Sequence, residues 1–362
     1  MKTELAVVFS PVGGGHKSAA LALADAARAR GISVEVLSLF DFAPRAVGDA
    51  YLQAHLTGQN SLPCLYGAAY FAANQRGGCF EPLRHTLDRI AFGALIRAID
   101  ALAPRAMVAT HHLPLVVLGH ARRRGRLTMP LFGVVTDYTS HACWAEEGVD
   151  GFAVACPEAA HELEGHGIHH DRIAVTGIPV RAAFERIEPL REPERGEPLR
   201  VLVTSGGFGV GPLRRIVRSF DGMRDVHLTV VCGSSAHVRD AISRDVSRMH
   251  LNAEVVGFEN DMSRRVQEAH IVVGKAGGLT VSETLAAGRP MIVVNAIPGN
   301  EKLNEAYVCR GGAGICAPPH RVGERLRELH RRGVIAEMGA NGRALVRAGA
   351  AERIARLACA AA

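Results

Sequence analysis

Short, continuous apolar runs recur along the chain and alternate with helix-like segments. They are LAVVF, SVEVLSL, AMVAT, LFGVVT, GFAVAC and RIAVTG, then RVLVTS, HLTVVC, AEVVGF, HIVVGK and PMIVVN. In most of them the valines and isoleucines are not interleaved with polar residues. Strands of that kind bury both faces, which calls for parallel sheets with helices packed on either side. The fold class is therefore α/β. At 362 residues the chain exceeds one ordinary core, and two sheets in two domains are expected. Between the two groups of runs, ERIEPLREPERGEPLR (residues 185–200) is charged, holds three prolines and lacks periodicity. It reads as a solvent-exposed linker that divides the chain near residue 190. The tail ALVRAGAAERIARLACAA has helical spacing with no strand after it, and is expected to pack back across the junction.

Composition narrows the class. Hydrophobic residues at 48% and charged residues at 22% describe a globular protein with sizeable cores. The net charge of +6 favours anionic partners, and on charge alone lipid, nucleotide phosphates and nucleic acid all stay open. The eight cysteines are scattered without a C-x-x-C pair, so neither a zinc ribbon nor a dithiol redox motif is indicated. The N-terminal apolar run is too short for a signal-peptide core. No apolar run approaches ~18 residues, so any membrane contact is expected to be peripheral.

Three glycine-rich turns follow strands directly: Gly13 to Gly15, with a helix expected from near Lys17; TSGGFGVGP (204–212); and GKAGGLTVSE (274–283). Glycine lets the backbone approach a ligand, and the helix that follows offers free N–H groups to phosphate. Each turn alone is equally a tight strand-to-helix connection. The dinucleotide fingerprint G-x-G-x-x-G is absent, as is a Walker A motif, so neither NAD nor ATP leads.

The stretch KAGGLTVSETLAAGRPMIVVNAIPGNEKLNEAYV (275–308) resembles the donor-binding half of glycosyltransferase family 28. SPVGGGHKSAALAL is similar to that family's N-terminal glycine motif. VTDYTSHACWAEEGVDGFAVACPE (135–158) resembles the segment typical of its monogalactosyldiacylglycerol synthase and processive diacylglycerol glucosyltransferase branch. VTGIPVRAAF, TSGGFGVGP and VVGFENDM complete the order, so the likeness runs over most of residues 5–315. It implies GT-B architecture, two Rossmann-like domains whose parallel sheets face a central cleft. Residues 1–188 would form an acceptor-binding and membrane-associating domain, 189–341 a UDP-sugar-binding domain, and 342–362 a C-terminal helix. The implied reaction is inverting transfer of a hexose from a UDP-sugar to a lipid, diacylglycerol above all, with no tightly bound cofactor, no protein-bound metal and no nucleic-acid partner. Its place would be the cytoplasmic side of the cell membrane, on an anionic surface. Other lipid-linked or small-molecule acceptors, epimerisation of the donor, and a non-catalytic UDP-sugar-binding regulator stay open.

The resemblance also assigns residues, each beside a plainer reading. His16 is the implied general base, although a histidine at a helix start is often only a solvated cap. Asp137 could orient or polarise it, or merely cap a helix. For Glu283 the implied role is to accept both ribose hydroxyls; the alternative is a carboxylate steadying a helix dipole. Gly277, Gly278, Leu279 and Thr280 would face the diphosphate, with Arg181 neutralising it unless that arginine forms a surface ion pair. Phe258 would cover uracil, or belong to the core. Gly206, Gly207 and Phe208 fall in the second glycine turn, on the donor side. Asn300 and Glu301 correspond to a P-G-Q-E segment in relatives, so at Asn300 an amide expected near the donor sugar is one methylene shorter, and Ala276 stands where relatives carry proline or serine. Gly14, Gly15, His111, His141 and Tyr66 would line the acceptor. The aromatic residues of 51–83 and the basic group Arg122, Arg123, Arg124 and Arg126 suit a lipid headgroup region, or else a buried helix face and a solvated surface.

Overall fold

The computed structural model describes residues 3–72, 74, 81–194, 196–206 and 211–360; at 54–56, 58–61, 63, 66 and 81–91 it describes the backbone alone. It divides into two compact units, one of Met1–Ala182, Pro298–Asn300 and Arg347–Ala362, the other of Ala183–Ile297 and Glu301–Val346.

Unit one runs β1 (Leu5–Phe9), α1 (Gly14–Arg28), β2 (Val34–Ser38), α2 (Arg45–Ser61), α3 (Pro63–Ala72), α4 (Glu81–Leu102), β3 (Ala106–Ala109), α5 (His112–Arg123), β4 (Leu131–Val134), β5 (Gly151–Val154), α6 (Pro157–Gly165) and β6 (Ile173–Val175). Its six strands are parallel in the order β2-β1-β3-β4-β5-β6. Leu5, Val7, Leu23, Ala27 and Val108 form its core.

Unit two continues with α7 (Ala182–Glu185), β7 (Leu199–Thr204), α8 (Leu213–Arg218), β8 (Val226–Val231), α9 (Ala236–Val246), β9 (Asn252–Val256), α10 (Met262–Glu268), β10 (Ile271–Gly274), α11 (Gly278–Ala286), β11 (Met291–Val293), α12 (Asn300–Arg310), β12 (Gly314–Cys316), α13 (Val322–Arg332) and α14 (Ile335–Leu345). These six strands are also parallel, in the order β12-β11-β10-β7-β8-β9. The chain then returns to unit one as α15 (Ala350–Ala360), whose Ile354, Ala355 and Ala358 recur at helical spacing and join the core beside α1.

Each sheet has one place where its strand order reverses. In unit one it lies between β1 and β3, and in unit two between β7 and β10. Helices leaving two such neighbours go to opposite faces, and the crevice this opens at the carboxyl ends of the strands is where α/β proteins bind ligands. The first glycine turn follows β1, the second β7 and the third β10, so all three stand at a reversal.

Two details differ from the sequence reading. Segment 185–200 is not a free linker: Ile187 is 5% exposed and Leu190 packs on the core of unit two. Arg289 donates to the Glu188 carbonyl at 3.1 Å, and Glu192 accepts the Ala336 N–H at 2.7 Å. The prolines exclude a regular element, but a few apolar residues among the charges suffice to fasten the segment. The second difference is β12, a three-residue edge strand with no apolar run of its own. Gly314 is required there because a Cβ would come within 2.5 Å of the Met291 carbonyl.

Candidate active site

Although the sequence suggests a helix start near Lys17, α1 begins at Gly14. Gly13 takes φ 81° as its N-cap, a left-handed conformation open to glycine. First-turn N–H groups have no partner inside the helix, so glycine is cheaply placed there. Gly14, Gly15 and His16 are thus the first turn of α1, at the reversal of the first sheet.

His16 is half-buried, and its ring is held by two neighbouring strand ends. Nδ1 lies 2.9 Å from the carbonyl of Thr110, just after β3, and 3.0 Å from Oγ1 of Thr136, just after β4. The Thr110 hydroxyl donates to the His16 carbonyl at 2.9 Å. A carbonyl can only accept, so Nδ1 carries the proton and Nε2 keeps the lone pair. Burial pulls the His16 pKa below the ordinary 6.5, against the Asp137 carboxylate and the Thr110 carbonyl, which both raise it. The ring is therefore neutral at physiological pH and able to take a proton at Nε2.

His111 and His141 have the opposite arrangement. Nδ1 of His111 accepts the Leu113 N–H at 3.0 Å and caps α5, and Nδ1 of His141 accepts the Cys143 N–H at 3.1 Å. In each the proton then sits on Nε2, and His141 uses it to donate to the Tyr70 carbonyl at 2.8 Å. Of these three histidines only His16 offers Nε2 as an acceptor. His111 stands edge-on to His16 with ring centroids 4.4 Å apart, so it helps to wall the same crevice. The Tyr70 ring lies 4.5 Å from that of His141. Tyr66 is one turn earlier on α3, and its side chain lies outside the described residues.

Asp137 follows Thr136 and acts on His16 through its charge. Its Oδ2 accepts from Nδ2 of Asn300 at 3.1 Å. The shortened amide is thus placed on a carboxylate of unit one, to which Pro298–Asn300 belong. Arg181, after the GIPV turn, is exposed.

In unit two the third glycine turn leads into α11, with Gly277 as its N-cap and Gly278, Leu279 and Thr280 as its first turn. A Cβ at Gly277 would meet nothing within 4 Å, so the backbone there is open to a ligand. Leu279 turns its side chain into the core at 6% exposure while its N–H stays in the first turn. Glu283 is half-buried in the second turn, and α11 has no acidic residue in its first. That position removes the plain helix-dipole reading of Glu283. Phe258, two residues beyond β9, is 61% exposed rather than core, on a turn fixed by Glu259 and Arg265 at 2.8 Å.

Glu301 is 8% exposed and already engaged: one oxygen accepts the Ile297 N–H at 2.9 Å and the other pairs with Lys275 at 3.2 Å. With Asn304, which donates to the Ala276 carbonyl at 2.9 Å, it ties Ile297 and the start of α12 to the third glycine turn within unit two. Gly206, at φ 73°, donates its N–H to Thr204 Oγ1 at 3.3 Å; Gly207 and Phe208 lie outside the described residues. The sequence reading missed Thr110, Thr136 and the Lys275–Glu301 pair. The available signal for Thr110, Thr136 and Lys275 was their position just after strands; Glu301, in the first turn of α12, had none of that kind.

Two family models match the chain: monogalactosyldiacylglycerol (MGDG) synthase over residues 16–180 and the glycosyltransferase family 28 C-terminal domain over residues 200–333. The chain is 27% identical over 228 residues to a processive diacylglycerol beta-glucosyltransferase of Bacillus subtilis, a match covering 61% of this chain and 59% of that protein. A protein of the same name from Bacillus thuringiensis is 24% identical over 327 residues, covering 86% of this chain and 81% of the relative. The chain thus spans less than two thirds of the first relatives it matches. Among solved structures, MurG of Acinetobacter baumannii shares the fold with a TM-score of 0.63 at 16% identity, over 98% of this chain and 99% of that one. The two-sheet α/β architecture is GT-B. The two matched segments together span most of the chain, the first in the monogalactosyldiacylglycerol synthase family and the second in the C-terminal domain family of glycosyltransferase family 28.

Proposed function

We propose that the chain is an inverting glycosyltransferase that moves a hexose from a UDP-sugar to the hydroxyl of diacylglycerol at the inner face of the cell membrane. The observation that carries this reading is the His16 ring, neutral and with Nε2 as its acceptor nitrogen. His16 Nε2 takes the acceptor's proton as the alcohol oxygen attacks the anomeric carbon from the face opposite UDP. The new carbon–oxygen bond forms, the bond from that carbon to the β-phosphate oxygen breaks, and its electron pair leaves with UDP. A single displacement of this kind gives a β-linkage.

The charge on the departing diphosphate is met by the first-turn N–H groups of α11 and by Arg181, without a protein-bound metal. Glu283 accepts the ribose hydroxyls, and the exposed phenyl of Phe258 covers uracil. Gly206, after β7, contributes to the remaining donor wall. Asn300 stands beside the reacting centre through Asp137, whereas Glu301 acts through the loop it holds. Gly14, Gly15, His111 and His141 line the acceptor's path.

Two variants separate the roles. His16→Ala loses transfer by about 10²–10⁴-fold while its Kd for UDP, measured by calorimetry, stays at the parent value. Glu283→Ala weakens UDP binding and keeps His16 intact. Product is read by mass spectrometry with diacylglycerol and competing UDP-glucose, UDP-galactose and UDP-glucuronate. Unchanged turnover in His16→Ala, or no glycolipid from any donor despite UDP binding, overturns the reading.

A further inference from the structure

We infer that Gly67 and Tyr70 on α3 are positioning residues: they form the seat in which Pro298 and Gly299 lie, and that seat delivers the Asn300 amide to the Asp137 carboxylate. The inference rests on the proposed role of His16 as base, with Asp137 acting on it through its charge. It gives α3 a task inside unit one that neither the resemblance nor the comparisons assign.

Pro298–Asn300 belong to unit one, and their fit to α3 leaves no room for a side chain on either partner. Gly67 and Tyr70 are three residues apart and so share a face of that helix. Gly67 is buried, and a Cβ there would come within 2.4 Å of the Pro298 Cβ. In return Gly299 is buried at φ 112°, a conformation open to glycine, and a Cβ on it would meet the Tyr70 ring at 3.1 Å. Two glycines far apart in sequence thus interlock, each admitting the other's neighbour. The seat is braced from the segment after Asp137: His141 Nε2 donates to the Tyr70 carbonyl at 2.8 Å, and Asn74 Oδ1 accepts the Ala142 N–H at 2.7 Å. Asn300, the next residue after the seat, donates from Nδ2 to Asp137 Oδ2 at 3.1 Å. A carboxylate only accepts, so it is the NH₂ of the amide that meets it, and the contact has a single direction. Asp137 in turn raises the basicity of His16. A displaced seat is therefore felt at the base through one hydrogen bond.

The test labels the full chain with ¹⁵N-asparagine and follows the side-chain amide of Asn300, assigned by its loss in Asn300→Ala, alongside steady-state kinetics. Gly67→Ala adds only the Cβ that the seat excludes. It is expected to move the Asn300 amide signal, as Asp137→Asn does, and to lower kcat by about tenfold, with KM for the UDP-sugar and Kd for UDP at their parent values. Asn300→Ala loses as much, and adding Gly67→Ala to it costs nothing further, because both act through the same hydrogen bond. Tyr70→Ala behaves like Gly67→Ala, whereas Tyr70→Phe, which keeps the ring carbons that meet Gly299, restores both signal and kcat. An Asn300 signal unmoved by Gly67→Ala and Tyr70→Ala, or losses that multiply when Gly67→Ala and Asn300→Ala are combined, overturns the inference and leaves the base assignment standing. Conversely, a signal that moves as stated, with parent kcat in Gly67→Ala, Asn300→Ala and Asp137→Asn alike, overturns the part given to Asp137 while the geometry of the seat holds.

Discussion

A neutral imidazole can take up a proton at only one nitrogen, and here the main chain makes the choice. Thr110 offers an acceptor to His16, whereas Leu113 and Cys143 offer donors to His111 and His141. The pH dependence of transfer follows from the same surroundings. Since burial holds the His16 pKa below 6.5, kcat/KM persists as pH falls through 6.5 and is lost only as the ring protonates further down. The Asp137 carboxylate raises that pKa, so in Asp137→Asn the acid limb moves to still lower pH. A limb at or above 6.5 in the parent assigns the profile to another group. His16 itself was legible as a candidate because its turn, three glycines followed by histidine, resembles the family's N-terminal motif. Thr110 and Thr136 were not, for threonine at a strand end reads as a β-former, and their contacts to the ring join positions 94 and 120 residues apart. Glu283 was legible as a candidate, while its place in the second turn of α11 was not.

At the scale of elements, eleven strands could be read from the sequence because each carries a short apolar run, buried throughout in β1, β3, β5 and β10 and only in part at the edges β2, β6 and β9. The twelfth could not, since Gly314–Cys316 is short, lies at the edge and is admitted by the absence of a side chain. The reversals of strand order were likewise hidden, because they depend on which strands become neighbours. Helix α15 was visible as a periodic tail, and its partner was not. Ile354, 2% exposed, is part of the unit-one core. Replacing it with alanine is expected to cost about 2–5 kcal/mol through lost burial and a residual cavity. The single tryptophan, Trp144, is 5% exposed in unit one, so its fluorescence during urea unfolding reports that unit. A midpoint unchanged in Ile354→Ala would show that α15 only rests on the surface.

On the scale of the whole molecule, exposed apolar side chains are unevenly spread. Val47, Tyr51, Leu62, Leu65 and Phe71, five of the eight large hydrophobics exposed among the described residues, lie between residues 45 and 72 of unit one. Among the described residues no helix is long and apolar enough to cross a membrane. Lipid contact through α2 and α3 is consistent with the proposed substrate. The basic group is less available than its sequence suggests, since Arg122 pairs with Asp150 at 2.6 Å and Arg123 with buried Glu146. Leu65→Glu combined with Phe71→Glu is expected to reduce co-sedimentation with phosphatidylglycerol vesicles several-fold and to leave UDP binding unchanged. Equal sedimentation would move the lipid contact elsewhere.

The return of the chain to unit one also sets an order of events during synthesis. The six strands of the first sheet leave the ribosome before any of unit two, yet Ile354, Ala355 and Ala358 are translated after it. Domains usually fold as they emerge, N-terminal first. Here the first-made sheet waits with the α1 side of its core uncovered, and the later-made unit can close before it. The nascent chain is therefore most in need of a chaperone at the end that was made first.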